Sequence, residues 1–291
     1  MDRKELIVIL LLAILVALLA TVRLFHGPVT GYSLDREPVI PRPPGGREPG
    51  ATQGSAADLA KRLQPFPMDR YTPRDPDARS MFEAAERIFA EALIAAANEP
   101  ASSFPFVDRA ITTYQDFRRR YEKEPATEVA LLRVGQCYTA MKAYPEGARV
   151  FEHFLKTYPK SELRPMALLW IGDNRLRQGE TGPAKTALEE VITQYPASDF
   201  AERAMLRIAQ CYALMKLLPE AADAYDRFLK KYPDSLLRPM ALLGSSDLLL
   251  NDGKPDLAKA RLEEVLRQNP SSPFAKIAEQ RLGQLKGPPS E

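Results

Sequence analysis

A spacing of 37 residues recurs through the second half of the chain and limits the folds that it can adopt. A Tyr-Pro or Asn-Pro dipeptide returns at each step, beginning at Tyr158, Tyr195, Tyr232 and Asn269. A serine follows each proline by two positions, at Ser161, Ser198, Ser235 and Ser272. A fixed period of this length indicates a row of similar units that bury one another, not a single globular core.

Each period carries the same pattern of small and bulky side chains. A small residue lies in its first half, at Gly135, Gly172, Ala209 and Ser246. A second small residue opens the other half, at Gly147, Ala184, Ala221 and Ala258. A bulky residue follows, at Phe151, Leu188, Tyr225 and Leu262. Small residues let two helices approach closely and bulky ones fill the space beside them. Each unit is therefore predicted to be an A helix, a turn and a B helix.

The dipeptide and the serine predict where these helices end and begin. Proline disfavours helical geometry in the residue before it, so Tyr-Pro should end each B helix. The serine two positions later should cap the A helix of the next unit.

The alternation of small and bulky residues, followed by proline, resembles the tetratricopeptide repeat, whose period is about 34 residues. The longer period found here resembles the repeats of bacterial envelope proteins: the tetratricopeptide lipoprotein of the β-barrel assembly machinery and the coordinator that works with the Tol–Pal system. The resemblance covers about residues 106–285. It implies an all-α fold, an α-solenoid of tetratricopeptide-like helix pairs that binds other proteins.

Two almost identical stretches indicate that the array grew by duplication of a repeat pair. "FLKTYPKSELRPMALL" begins at Phe154 and "FLKKYPDSLLRPMALL" begins at Phe228, so the second copy lies two periods after the first. A catalytic motif is seldom copied together with its apolar surroundings. We therefore interpret this stretch as the connection between successive repeats.

The domain organisation follows from these patterns and from composition. We expect residues 1–26 to form an N-terminal transmembrane anchor, 27–80 a proline-rich disordered linker, 81–286 the solenoid and 287–291 a tail. Within the solenoid we expect a helix pair at 81–124, repeats at about 125–160, 161–197, 198–234 and 235–271, and a capping helix at 272–286.

The anchor is predicted from Leu6–Val22, an apolar stretch without a charged residue. At 1.5 Å per residue it is near the short limit for crossing a hydrocarbon core of about 30 Å. A cleaved signal peptide is the competing interpretation, although Leu18 fits poorly before a cleavage site at Ala20.

We expect a single pass in the cytoplasmic membrane with the solenoid on the extracytoplasmic, periplasmic side. A cytosol-facing docking platform is the alternative, because the flanking basic residues are nearly balanced.

Composition argues against several classes of function. The 40 basic and 38 acidic residues nearly cancel, which gives no footprint for nucleic acid. Two cysteines and two histidines offer neither a disulfide framework nor a metal cluster. The recurring Glu189-Glu190 and Glu263-Glu264 pairs belong to the repeat surface, because adjacent helical residues point in different directions. We predict no enzyme activity, cofactor, metal or small-molecule substrate.

The resemblance implies a peptide-binding groove along the A helices. Its candidate residues are Leu132, Gln136, Leu169, Asp173, Arg203, Leu206, Gln210, Leu243 and Asp247. Gln136, Asp173, Gln210 and Asp247 form a polar row with one member in each period, which could bond a peptide backbone or could bond between neighbouring repeats. The groove positions are more apolar than a solvated surface should be, so a partner or a closed superhelix should cover part of them. The predicted function is a membrane-anchored scaffold for a protein partner, with self-assembly into homo-oligomers as an alternative.

Overall fold

The computed structural model describes residues 68–98, 104–268, 270 and 272–285. This part of the chain contains a short 3-10 helix, Met68–Tyr71, and eleven α-helices without any strand. In chain order these are α1 (Pro76–Asn98), α2 (Phe104–Arg120), α3 (Ala126–Ala140), α4 (Tyr144–Thr157), α5 (Arg164–Arg177), α6 (Thr181–Gln194), α7 (Asp199–Leu214), α8 (Leu218–Lys231), α9 (Arg238–Asn251), α10 (Pro255–Gln268) and α11 (Pro273–Leu285).

The helices form a solenoid of pairs, which confirms the predicted all-α fold class. Each helix packs on the next along the chain, and contacts between non-consecutive helices join α1 to α3, α5 to α7, α7 to α9 and α9 to α11. The odd-numbered helices from α1 to α9 are the A helices and the even-numbered ones are the B helices. Helix α11 follows the last pair and packs on both of its helices.

The small residues of the repeat stand where an A helix meets its own B helix. A Cβ atom added to Gly135 would lie 2.6 Å from the Phe151 ring. One added to Gly172 would lie 2.6 Å from the Leu188 side chain. Both distances are too short for real atoms, so glycine permits the close approach that the sequence pattern predicts.

The Tyr-Pro dipeptides end the B helices as predicted. Helices α4, α6 and α8 finish at Thr157, Gln194 and Lys231, each directly before the tyrosine. Three of the four serines behave differently from the prediction. Ser198 directly precedes α7 but makes no side-chain capping bond, and its hydroxyl donates to Tyr195 O instead. The Ser161 and Ser235 hydroxyls accept the N–H groups of Leu163 and Leu237, the residues that precede α5 and α9.

A contact with an earlier A helix explains where these serines lie. Ser161 donates to Glu128 Oε2 at 2.5 Å, and Ser235 donates to Glu202. Each serine therefore ties the connection between units to the first turn of α3 or α7. Ser272 has the capping geometry that was predicted, since its hydroxyl accepts the Ala275 N–H at 3.2 Å.

The structure describes residues 68–80 of the predicted linker, and these pack on the solenoid instead of forming a disordered chain. Helix α1 begins at Pro76, and Tyr71 is buried against the solenoid. The Glu124 carboxylate accepts the backbone N–H groups of Arg74 and Asp75, and Arg70 pairs with Glu162. These contacts to distant residues hold a proline-rich stretch in place.

The predicted anchor Leu6–Val22 and residues 27–67 of the predicted linker lie outside the described residues. No helix in the described part of the chain has the length and the apolar character needed to cross a membrane.

Candidate interaction surface

The nine predicted groove residues divide into a buried set and a partly exposed set. The buried set is Leu132, Gln136, Leu169, Leu206 and Leu243. The partly exposed set is Asp173, Arg203, Gln210 and Asp247. Only the second set can be reached by a partner in this conformation.

The buried leucines pack against neighbouring helices. Leu132 belongs to a core cluster that includes Phe82 and Phe89 of α1. Leu169 belongs to another cluster with Ile208 and Cys211 of α7. An A helix inside the array is surrounded by its own B helix and by other A helices, so positions that would line an open groove lie in the core.

Arginines bond all four members of the polar row. Asp173 and Asp247 are bonded from another helix, and Gln136 and Gln210 from their own helix. Arg207 Nε lies 2.7 Å from Asp173 Oδ1, and Arg207 also donates to Gln210 Oε1 at 2.9 Å. Arg281 of α11 lies 2.8 Å from Asp247 Oδ1. Arg133 donates to Gln136 Oε1 at 2.9 Å. We call Arg133, Arg207 and Arg281, which follow one another at intervals of two periods, the arginine ladder.

The first member of the ladder is fully buried. Arg133 Nε and Nη2 donate to the two oxygens of Glu86, both at 2.9 Å. Tyr114 donates to the same carboxylate at 2.6 Å, and the Arg133 guanidinium lies 4.7 Å from the Phe89 ring centre. Burial by itself would lower the pKa of Arg133, but the Glu86 charge raises it above the ordinary value, so Arg133 stays protonated.

At the other end of the array, the effect of burial on the pKa of Asp247 is larger than the effect of the neighbouring arginine. Burial raises the pKa of its carboxyl group from 3.8 to about 6, although Arg281 acts to lower it. This carboxyl group can therefore change its charge near neutral pH.

Arg203 is the most unusual residue of the partly exposed set. The equivalent positions in the other units hold Val129, Met166 and Met240. Desolvation lowers the pKa of Arg203, an effect that Asp173 opposes and Arg207 reinforces. Asp173 already pairs with Arg207, and no carboxylate among the described residues forms an ion pair with Arg203. The other units place an apolar side chain here, so the repeat pattern does not require the charge of Arg203.

The two cysteines lie in the core. Burial raises the pKa of both the Cys137 and the Cys211 thiol to about 12, so neither forms a thiolate at neutral pH. Within the described residues, no group of three or more His, Cys, Asp or Glu side chains is placed to hold a metal ion.

Sequence reasoning identified the polar row but missed the arginines that bind it. The sequence does contain a pattern that indicates these arginines: arginine recurs every second period, which is the spacing of the duplicated repeat pair. Glu86 gave no such signal, since it lies in α1, outside the regular period.

Comparison with known proteins supports the identification of the repeats. The tetratricopeptide repeat model matches residues 129–161, 166–198 and 203–235. No curated protein matches the sequence. Among solved structures, MamA residues 41 to the end from Desulfovibrio magneticus RS-1 has a TM-score of 0.53 at 17% identity, covering 68% of this chain and 98% of that one.

A second similar structure is that of the nearly identical TPR-like repeats of a "putative kinesin light chain" from Podosopora anserina. Its TM-score is 0.51 at 15% identity, and the match covers 67% of this chain and 98% of that one. Likeness at this level of identity shows the fold. The chain therefore contains tetratricopeptide repeats, as predicted, and these build a tetratricopeptide solenoid.

Proposed function

We propose that the chain is a non-enzymatic, membrane-anchored scaffold whose tetratricopeptide array binds another protein along its A helices. Asp173, Arg203, Gln210 and Asp247 form the contact surface, since they are the candidate residues with exposed area. The observation that carries the proposal is Arg203, a charged residue at a position where other units place valine or methionine.

Arg203 has the chemistry to recognise a segment of polypeptide. Its guanidinium offers several N–H donors in a fixed plane, suited to carbonyl and carboxylate oxygens. The partial desolvation of its surroundings strengthens such contacts relative to those in bulk water. Gln210, one helical turn beyond Arg207, adds a side-chain amide to the same face.

The membrane and envelope parts of the proposal rest on sequence. Leu6–Val22 supplies an uncharged apolar span, and the long repeat period resembles that of bacterial envelope proteins. We place the solenoid on the extracytoplasmic side of the cytoplasmic membrane, with a role in envelope assembly, secretion-associated chaperoning or cell-wall coordination.

Photo-crosslinking in cells tests the interaction surface. A photoreactive residue at Gln210 should capture one defined protein, whereas the same residue at Asp223, on the exposed side of α8, should not. Arg203→Met, which copies Met166 and Met240, should reduce capture from Gln210 without lowering the melting temperature. The proposal is wrong if capture is equal from both positions or unaffected by Arg203→Met.

Protease treatment of intact spheroplasts tests the orientation. An extracytoplasmic solenoid should be digested before lysis. Digestion only after lysis would contradict the exported orientation and favour the cytosol-facing alternative.

A further inference from the structure

Two junctions on the B-helix side of the array are closed by an arginine. Arg164 of α5 donates to Leu155 O of α4 and to the Tyr195 hydroxyl after α6, both at 2.9 Å. It also lies 3.8 Å from Glu190 of α6. Arg164 thus bridges the two B helices that flank its own A helix.

The second closed junction repeats this arrangement two periods later. Arg238 of α9 donates to Leu229 O of α8 at 2.9 Å and to Glu264 of α10 at 2.5 Å. We call each of these arginines, together with its glutamate, a strap.

The junction between α6, α7 and α8 lies between the two strapped junctions and has neither the arginine nor the glutamate of the strap. The position equivalent to Arg164 and Arg238 is Ala201. The position equivalent to Glu190 and Glu264 is Arg227, so the charge at that point is reversed. The first junction is different again: it has Thr127 at the strap position, and Arg118 lies beside the Tyr158 hydroxyl instead.

A cavity of about 420 Å³ occupies the unstrapped junction between α6, α7 and α8. Ile192, Met205, Ile208 and Tyr212 supply most of its apolar lining. Met205 is partly exposed, while its counterparts Leu168 and Leu242 in the strapped units are buried. This junction therefore leaves apolar surface exposed that the strapped units cover. The volume lies in the range of about 300–1,000 Å³ that is usual for ligand pockets.

The charges around this cavity favour an acidic partner. Glu189 is neutralised by Lys185 at 2.7 Å, and Arg227 pairs with Asp223 at 2.9 Å in an exposed i,i+4 contact. Lys231 lies over the Tyr232 ring, and no carboxylate of the described residues is within ion-pair distance of it. Its counterparts in the strapped units are Gln194 and Gln268. The apolar cavity therefore has a positive charge at its edge, Lys231, that no carboxylate of the described residues balances.

We propose that the open junction between α6, α7 and α8 is a second docking surface, for a partner polypeptide that presents an apolar side chain next to a carboxylate. The apolar side chain fills the cavity over Met205 and Ile208. The carboxylate pairs with Lys231 and with Arg227, the residue that stands where the strapped junctions have Glu190 and Glu264. The surface lies on the B-helix side and is separate from the A-helix surface around Arg203.

Selection of displayed peptides tests this assignment. Short random peptides are selected for binding to the full chain, and the enriched peptides are synthesised and titrated by fluorescence anisotropy. We expect an enriched pattern of leucine, isoleucine or phenylalanine beside aspartate or glutamate. The Ala201→Arg/Arg227→Glu double variant restores the strap, and the dissociation constant should rise by roughly tenfold or more, about 1.4 kcal/mol.

A second variant controls for misfolding of the first. Arg227→Gln/Lys231→Gln changes only exposed side chains and should weaken the same peptides without changing the melting temperature. Arg203→Met should leave their binding unchanged, which separates this surface from that of the proposed function. The inference fails if no peptide is enriched, if the enriched peptides lack acidic residues, or if they bind the wild type and both double variants equally.

Discussion

The two ends of the arginine ladder place the same residue in different surroundings. At the N-terminal end, the side chains of Arg133 and Glu86 are 2% and 9% exposed. In the middle of the array, those of Arg207 and Asp173 are 19% and 15% exposed. At the C-terminal end, Arg281 and Asp247 are still more open to solvent. The arginines that pair with an earlier A helix therefore recur every second period. The neighbouring helices determine how deeply each pair is buried.

The surroundings of the buried pair show what full burial requires. The Glu86 carboxylate receives hydrogen bonds from both Arg133 and Tyr114, and Arg133 also bonds Gln136. Buried charges that lack such partners are strongly destabilising, so each bond here offsets a loss of hydration. The later pairs keep part of their hydration and have fewer partners. This contrast predicts a graded response to substitution along the ladder.

Arg133→Ala should produce the largest effect. It leaves the Glu86 carboxylate buried without its cation, and removal of one partner from a buried pair costs about 3–5 kcal/mol. Arg207→Ala should reduce the free energy of unfolding much less, by about 1 kcal/mol, because Asp173 can be rehydrated. Urea denaturation followed by circular dichroism measures both.

A double variant checks that the loss comes from the unpaired charge. Glu86→Gln/Arg133→Met removes both charges and should recover much of the stability lost in Arg133→Ala. Equal losses for Arg133→Ala and Arg207→Ala would show that burial does not distinguish the two pairs.

Tyr114→Phe should have the next largest effect. The substitution keeps the ring that packs on Phe82 and Phe89 but removes the hydroxyl that donates to Glu86. A buried hydrogen bond to a charged group contributes about 1.5–3 kcal/mol. The positions two and four periods later are Leu188 and Leu262, so the later pairs have no equivalent of this bond.

Urea denaturation again measures the loss in Tyr114→Phe. The control is Tyr138→Phe in α3, whose hydroxyl is not among the groups that bond Glu86. A loss no larger than that of the control would show that Tyr114 contributes by packing only.

Arg281→Ala should have a smaller and more local effect. Arg281 pairs with Asp247 and donates to Leu243 O at 3.1 Å, so it attaches α11 to α9. We expect faster hydrogen exchange of the α11 amides and a loss of about 0.5–1 kcal/mol, reduced by added salt. Lys276→Ala, on the exposed side of α11, is the matched control. Unchanged exchange in α11 would mean that the pair does not hold the helix.

The regular part of the fold was predictable because it depends on residues close together in the sequence. Gly135 and Phe151 lie in one unit, and their contact follows from a spacing that the whole array repeats. The Tyr-Pro positions marked the ends of α4, α6 and α8 for the same reason.

The features that escaped prediction depend on distant residues. Tyr71 is buried by helices that lie far along the chain, so composition indicated a linker where the structure has contacts. Ser161 is held by Glu128, which the capping rule does not consider. For the candidate surface, the repeat pattern located Arg203 and Leu132 alike as groove residues. Only the packing of α1 on α3 shows that Leu132 is inaccessible.

Asp247→Asn should give the smallest and most specific effect, a change in pH dependence. The pKa of Asp247 rises from 3.8 to about 6 in the folded protein because of burial. Between these pH values the folded protein binds a proton that the unfolded chain does not, so this group adds stability as the pH falls through about 6. The contribution is complete below about pH 4 and is lost as the pH rises towards 7.

Melting temperatures of wild type and Asp247→Asn, measured from pH 4 to pH 7, isolate this contribution, because all other groups titrate in both proteins. The difference should shift in favour of wild type as the pH is lowered. Arg281→Ala removes the neighbour that lowers this pKa, so the transition should move to higher pH. If the melting temperatures of wild type and Asp247→Asn differ by the same amount at every pH, the pKa of Asp247 is not raised. The Arg281–Asp247 pair would then behave as an ordinary surface ion pair.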